Sequence, residues 1–72
     1  KTKMKKLIIE KRNRVLTERK DTIERIINRY DGDKDKILMD LKDVTFGLKL
    51  GMGGNHIWIA NEKNVRLAII YF

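Results

Sequence analysis

The 72-residue sequence predicts an α+β domain, with one or two N-terminal helices packed on a C-terminal three-stranded antiparallel sheet. Three observations predict it. Apolar residues alternate through residues 44–72 with the period of two that a half-buried strand requires. Ile23, Ile26, Ile27 and Tyr30, and then Ile37, Leu38 and Leu41, recur instead at helical spacing. Breaks at Asp31-Gly32-Asp33, at Gly51-Met52-Gly53-Gly54 and at Asn61-Glu62-Lys63-Asn64 separate these runs.

Residues 1–12 read as a basic leader, mobile in part, within which Leu7-Ile8-Ile9 fits either a buried strand or a helix. Residues 13–43 read as helical. A single helix over residues 4–30 has an apolar stripe through Ile8, Val15, Ile23, Ile26 and Tyr30, but Arg12 and Arg19 interrupt it, so a break is expected. Asp21-Thr22-Ile23-Glu24 supplies a start of the capping-box kind, and extension back to Asn13 stays open. Gly32 closes this helix, and a second, capped by Asp33 or Asp35, runs from about Lys34 to Asp43.

Residues 44–72 read as a β-meander. Val44, Phe46, Leu48 and Leu50 share one face of its first strand, with Thr45, Gly47, Lys49 and Gly51 opposite, although the helical stripe also extends as far as Leu48. Ile57 and Ile59 oppose His56, Trp58 and Ala60; Val65, Leu67, Ile69 and Tyr71 oppose Arg66, Ala68, Ile70 and Phe72. With a helix over the aliphatic side, the other side gathers Lys49, His56, Trp58 and Arg66. Cations neutralise phosphate and an indole offers a stacking surface to a base, so this face suits nucleic acid. The alternative is that Trp58 packs with Ile70 and Phe72 as a second small core or a dimer surface.

A chain this short forms one domain, buries only about 60% of its unfolded surface and gains from self-association, so a homodimer is a natural expectation. With no Cys, neither disulfides nor a thiolate metal site can add stability, and a cytoplasmic location fits. No apolar run approaches the roughly 20 residues of a membrane span, so no membrane partner is expected. The net charge of +7 is unevenly spread: residues 1–30 hold eleven basic and four acidic side chains, and the remaining positions nearly balance. Charge concentrated in this way draws polyanions, so Arg12, Arg14, Arg19 and Lys20 are candidate contacts to nucleic acid or to an acidic protein.

Asp31, Asp33 and Asp35 are spaced like the start of a calcium loop. Lys36 and Lys42 stand where that loop needs Gly and Glu, so capping explains the aspartates better and no metal is expected. The glycines at 51–54 lead into a strand without a following Lys-Ser or Lys-Thr, so they form a hairpin connection rather than a phosphate loop, and no cofactor is expected.

His56, the single histidine, is the one side chain able to exchange protons near neutral pH. Its surroundings, Gly53-Gly54-Asn55-His56-Ile57-Trp58-Ile59, resemble the Gly-Ser-Asn-His or Gly-Ser-His-His segment of HicA toxins. Those are small basic proteins with a double-stranded-RNA-binding-like fold that cleave mRNA and are silenced by a HicB antitoxin. The resemblance implies that the segment opens a central strand, that His56 is catalytic in a metal-independent ribonuclease, and that Gly54 lets RNA approach. A winged-helix reading, with the second helix as recognition helix and the hairpin as wing, is weakened by Asp40 and Asp43, which repel phosphates.

The function expected first is nucleic-acid binding, of RNA or single strands, by Arg12, Arg14, Arg19 and Lys20 together with Lys49, Trp58 and Arg66. The rivals are a HicA-like toxin using His56, and a non-enzymatic phage- or plasmid-type inhibitor that docks on an acidic host protein.

Overall fold

A computed structural model describes residues 6–30 and 32–72, in the order β1 (Lys6–Ile9), α1 (Arg14–Arg29), α2 (Lys34–Val44), β2 (Lys49–Met52), β3 (His56–Ala60) and β4 (Arg66–Tyr71). The α+β class is as expected, but the antiparallel sheet has four strands, ordered β1-β4-β3-β2. The added strand comes from the presumed leader: Leu7, Ile8 and Ile9 face Ile70, Ile69 and Ala68 of β4. Leu67, Ala68, Ile69 and Ile70 are all buried, a composition suited to an interior strand, and β1 is the neighbour that makes β4 interior. Residues 1–5 of the leader, and Asp31 of the aspartate triplet, lie outside the described residues.

Helix α1 begins at Asn13, whose side-chain oxygen accepts from the backbone N–H groups of Val15 and Leu16 at 2.9 and 3.3 Å. Asp21 is therefore an exposed mid-helix residue and not a cap. The expected break in a helix over residues 4–30 falls at residues 10–13, between β1 and α1, and Arg12 lies in it. Arg19 falls within the stripe of Leu16, Ile23, Ile26 and Ile27 by spacing, yet its exposed side chain reaches out to lie 5.3 Å above the Phe46 ring, so the helix runs on through it. At the far end of the helix, Arg29 and the Tyr30 hydroxyl donate to Asp40 at 3.3 and 2.8 Å, fastening α1 to α2.

Asp33 caps α2 by accepting from the Lys36 N–H. The helix continues through Val44, and both the N–H and the hydroxyl of buried Thr45 return to the Leu41 carbonyl. Residues 44–48 are thus helix end and turn rather than strand, and Phe46 is exposed. Helical spacing through Leu41 and Val44 outweighs the alternation, because a helix already packed by Ile37 and Leu41 extends at little further entropic cost.

Ile57, Ile59, Ala68 and Ile70 form one core with Leu16, Ile23, Ile26 and Ile27 of α1 and Ile37 and Leu41 of α2, so both helices cover the same side of the sheet. A bulge breaks the expected alternation in β4. Ala60 faces Arg66 while Ile59 faces Ala68, which leaves Leu67 as the extra residue. Beyond it the faces exchange: Ile70 and Phe72 turn to the core, and Ile69 and Tyr71 turn outward. The pairing of Trp58 with Ile70 and Phe72 is corrected accordingly; Ile69 is the residue across from Trp58.

Candidate nucleic-acid interface

On the side of the sheet away from the helices, residues paired across strands stand in three rows. Lys6, Tyr71 and His56 make the first, Ile8, Ile69, Trp58 and Gly51 the second, and Arg66, Ala60 and Lys49 the third. Ile69 is buried yet lies outside the helix-side core, with Ile8 and Trp58 as its cross-strand neighbours. The outer face therefore has an apolar middle and cationic ends.

Two glycines determine how the rings of β3 lie. A Cβ built on Gly51 would sit 2.0 Å from Cζ2 of Trp58, and one on Gly53 would sit 2.2 Å from Cε1 of His56. Both rings rest on bare backbone that a side chain at either glycine would occupy. Trp58 and His56 are half-buried, as rings are with one face on the sheet and the other towards solvent. The His56 Nδ1 is 3.2 Å from Oδ1 of Asn55, and the Tyr71 ring is centred 6.2 Å away, tilted by 48°. Among the described residues, no ion pair or hydrogen bond joins His56 to a carboxylate.

The turn under these rings is held from below. The Gly53 N–H donates to the His56 carbonyl at 2.8 Å, closing the β2–β3 hairpin. Lys34, at the start of α2, donates its ammonium to the carbonyls of Gly53 and Gly54. Lys34 carries no signature in the sequence, because a contact across 19 residues leaves no mark in local spacing. Lys34→Met is expected to lower stability by about 1 kcal/mol, since two charge-assisted but partly solvated bonds are lost. It is also expected to speed hydrogen exchange of the Gly53 amide selectively; uniform exchange changes across the sheet would argue against a local latch.

The predicted residues divide between two layers. Lys49, His56, Trp58 and Arg66 share the outer sheet face, as alternation suggested. Lys49 donates to the Asn64 side chain at 3.0 Å and Arg66 pairs with Glu10 at 3.3 Å; both cations are exposed. Arg14, Arg19 and Lys20 belong to α1, across the core from that face, and Arg14 pairs with Glu18 at 3.2 Å. Arg12 is exposed in the β1–α1 connection. Tyr71, Lys6 and the seating glycines join the sheet-face group, which the charge count alone did not indicate. Among the described residues, no three His, Asp or Glu side chains converge as a metal site, and no helix is long and apolar enough to cross a membrane.

Fold and face together define a small basic α+β domain with an open antiparallel sheet that carries flat-lying rings between cations. Neither a protein family, nor a curated protein, nor a solved structure matches the chain.

Proposed function

We propose that this chain binds single-stranded nucleic acid, RNA ahead of DNA, on the outer face of its sheet. The observation that carries the reading is the seating of Trp58 and His56 on Gly51 and Gly53, which turns two ring faces outward on neighbouring rows. Such surfaces act by stacking on bases, and only unpaired bases offer a free face; RNA presents these in loops, bulges and ends. Lys49 and Arg66 supply the phosphate contact beside them.

Titrating a six-nucleotide oligouridylate into the protein is expected to quench the single tryptophan, with affinity falling steeply as salt rises. Each phosphate neutralised on a single strand contributes about −0.7 to the slope of log K against log salt, so Lys49→Gln with Arg66→Gln should flatten it by about 1.4. Arg14, Arg19 and Lys20 should matter only for strands long enough to pass round to the helix layer. Salt-independent affinity, or an indole that no oligonucleotide quenches, would remove the proposal. Co-purification of one acidic protein at fixed stoichiometry would favour the inhibitor reading instead.

A second reading, an RNA-cleaving toxin of the HicA kind, is supported by the position of His56 as the first residue of interior strand β3, with its ring on the outer face. On that reading induction of the protein arrests growth, and His56→Ala restores growth and abolishes RNA cleavage while most RNA affinity remains. A wild-type protein that is harmless on induction excludes it.

A further inference from the structure

The spacing of the two ring seats carries the binding reading one step further, and the step rests on that reading. Trp58 and His56 are alternate residues of one strand, so their backbones stand roughly 6.7 Å apart along β3. Bases stacked on one another in a duplex strand advance by only about 3.4 Å. Two neighbouring bases therefore cannot occupy both seats while stacked together; they must be drawn apart to about twice that spacing. The seats are also bounded. Beyond Trp58 the next row offers Ala60 between Lys49 and Arg66, and His56 opens its strand with Tyr71 beside it and Lys6 at the end of the same row. No third ring continues the series along β3.

We infer that the face takes two successive nucleotides of a single strand with their bases unstacked, one on the Trp58 indole and the next on the His56 imidazole beside Tyr71. The phosphates flanking this pair meet Lys49 and Arg66 at one end and Lys6 at the other. The chemistry recognised is a splayed dinucleotide step, which excludes a duplex and does not require a particular base, since every base has a flat face.

The test varies the ligand and leaves the protein intact. Eight-residue ribose-phosphate strands are prepared fully abasic, with one uracil, with two adjacent uracils, and with two uracils separated by one abasic position; dissociation constants are read from Trp58 emission. The adjacent pair is expected to bind about ten-fold more tightly than the single uracil, the scale of one added base-on-ring contact. The separated pair should bind like the single uracil, apart from a factor of about two for the choice of base. His56→Ala should erase the advantage of the adjacent pair while Trp58 is still quenched. If the separated pair binds as tightly as the adjacent one, or the advantage survives His56→Ala, the two-seat inference is overturned and stacking on Trp58 stands. If no uracil-bearing strand outbinds the abasic one or quenches Trp58, the binding reading falls and the inference with it.

Discussion

Gly51→Val is expected to weaken single-strand binding by about ten- to a hundred-fold while the sheet persists, because it evicts the indole from its seat. The added Cβ would lie 2.0 Å from Trp58 Cζ2, and its methyl groups would extend further into the space of the ring. One base-on-ring contact is worth about 1–3 kcal/mol, which sets the expected range. The strand itself should tolerate the change: β2 is an edge strand, and valine is among the residues best suited to a pleated surface. Three measurements belong together. Trp58 emission should shift to the red as the ring enters water, the circular dichroism should keep its mixed helix and strand form, and oligouridylate affinity should drop. A variant that binds as tightly as wild type with unchanged emission would show that the seat plays no part in binding.

Ile57→Ala should have the largest effect on stability. Ile57 lies between the two ring residues in sequence but points the other way, fully buried in the core beneath them. Truncating a buried Ile to Ala removes about 2–5 kcal/mol through lost transfer energy and the cavity left behind. A domain of 72 residues has roughly 4–11 kcal/mol in all, so the variant should be partly unfolded at physiological temperature. With a urea dependence of about 1 kcal/mol/M for so small a domain, the unfolding midpoint should fall by about 2 M or more. Met39→Ala, at a position 67% exposed, should stay within about 0.5 kcal/mol of wild type. An Ile57→Ala midpoint close to that of Met39→Ala would mean that helices and sheet are not held by the core described.

Much of the working face follows from period-two arithmetic. His56 and Trp58 fall on the side opposite Ile57 and Ile59 whatever the partner strands do, because side chains of a strand alternate. Lys49 joins them once β2 pairs with β3. The seats themselves follow from the same arithmetic. A hairpin closed between Gly53 and His56 necessarily sets Gly51 against Trp58, so two glycines at alternate positions facing two rings at alternate positions mark a seating pattern rather than a flexible connection. The face of β4 was out of reach, because one extra residue at Leu67 exchanges all later positions and nothing in the local pattern announces a bulge.

Composition and spacing alone determined the α+β class, the second helix with Asp33 as one of its two candidate caps, the outward side of β3 and the excess of positive charge in the first thirty residues. Tertiary structure decided the rest: that Leu7-Ile8-Ile9 is a fourth strand, that residues 44–48 end a helix, that Lys34 grips the hairpin, and that α1 carries its cations on the far side of the core from the rings. The division has one physical origin. A residue's period is encoded by its near neighbours, whereas the element that completes its hydrogen bonds and covers its apolar side comes from distant parts of the chain, and only packing selects it.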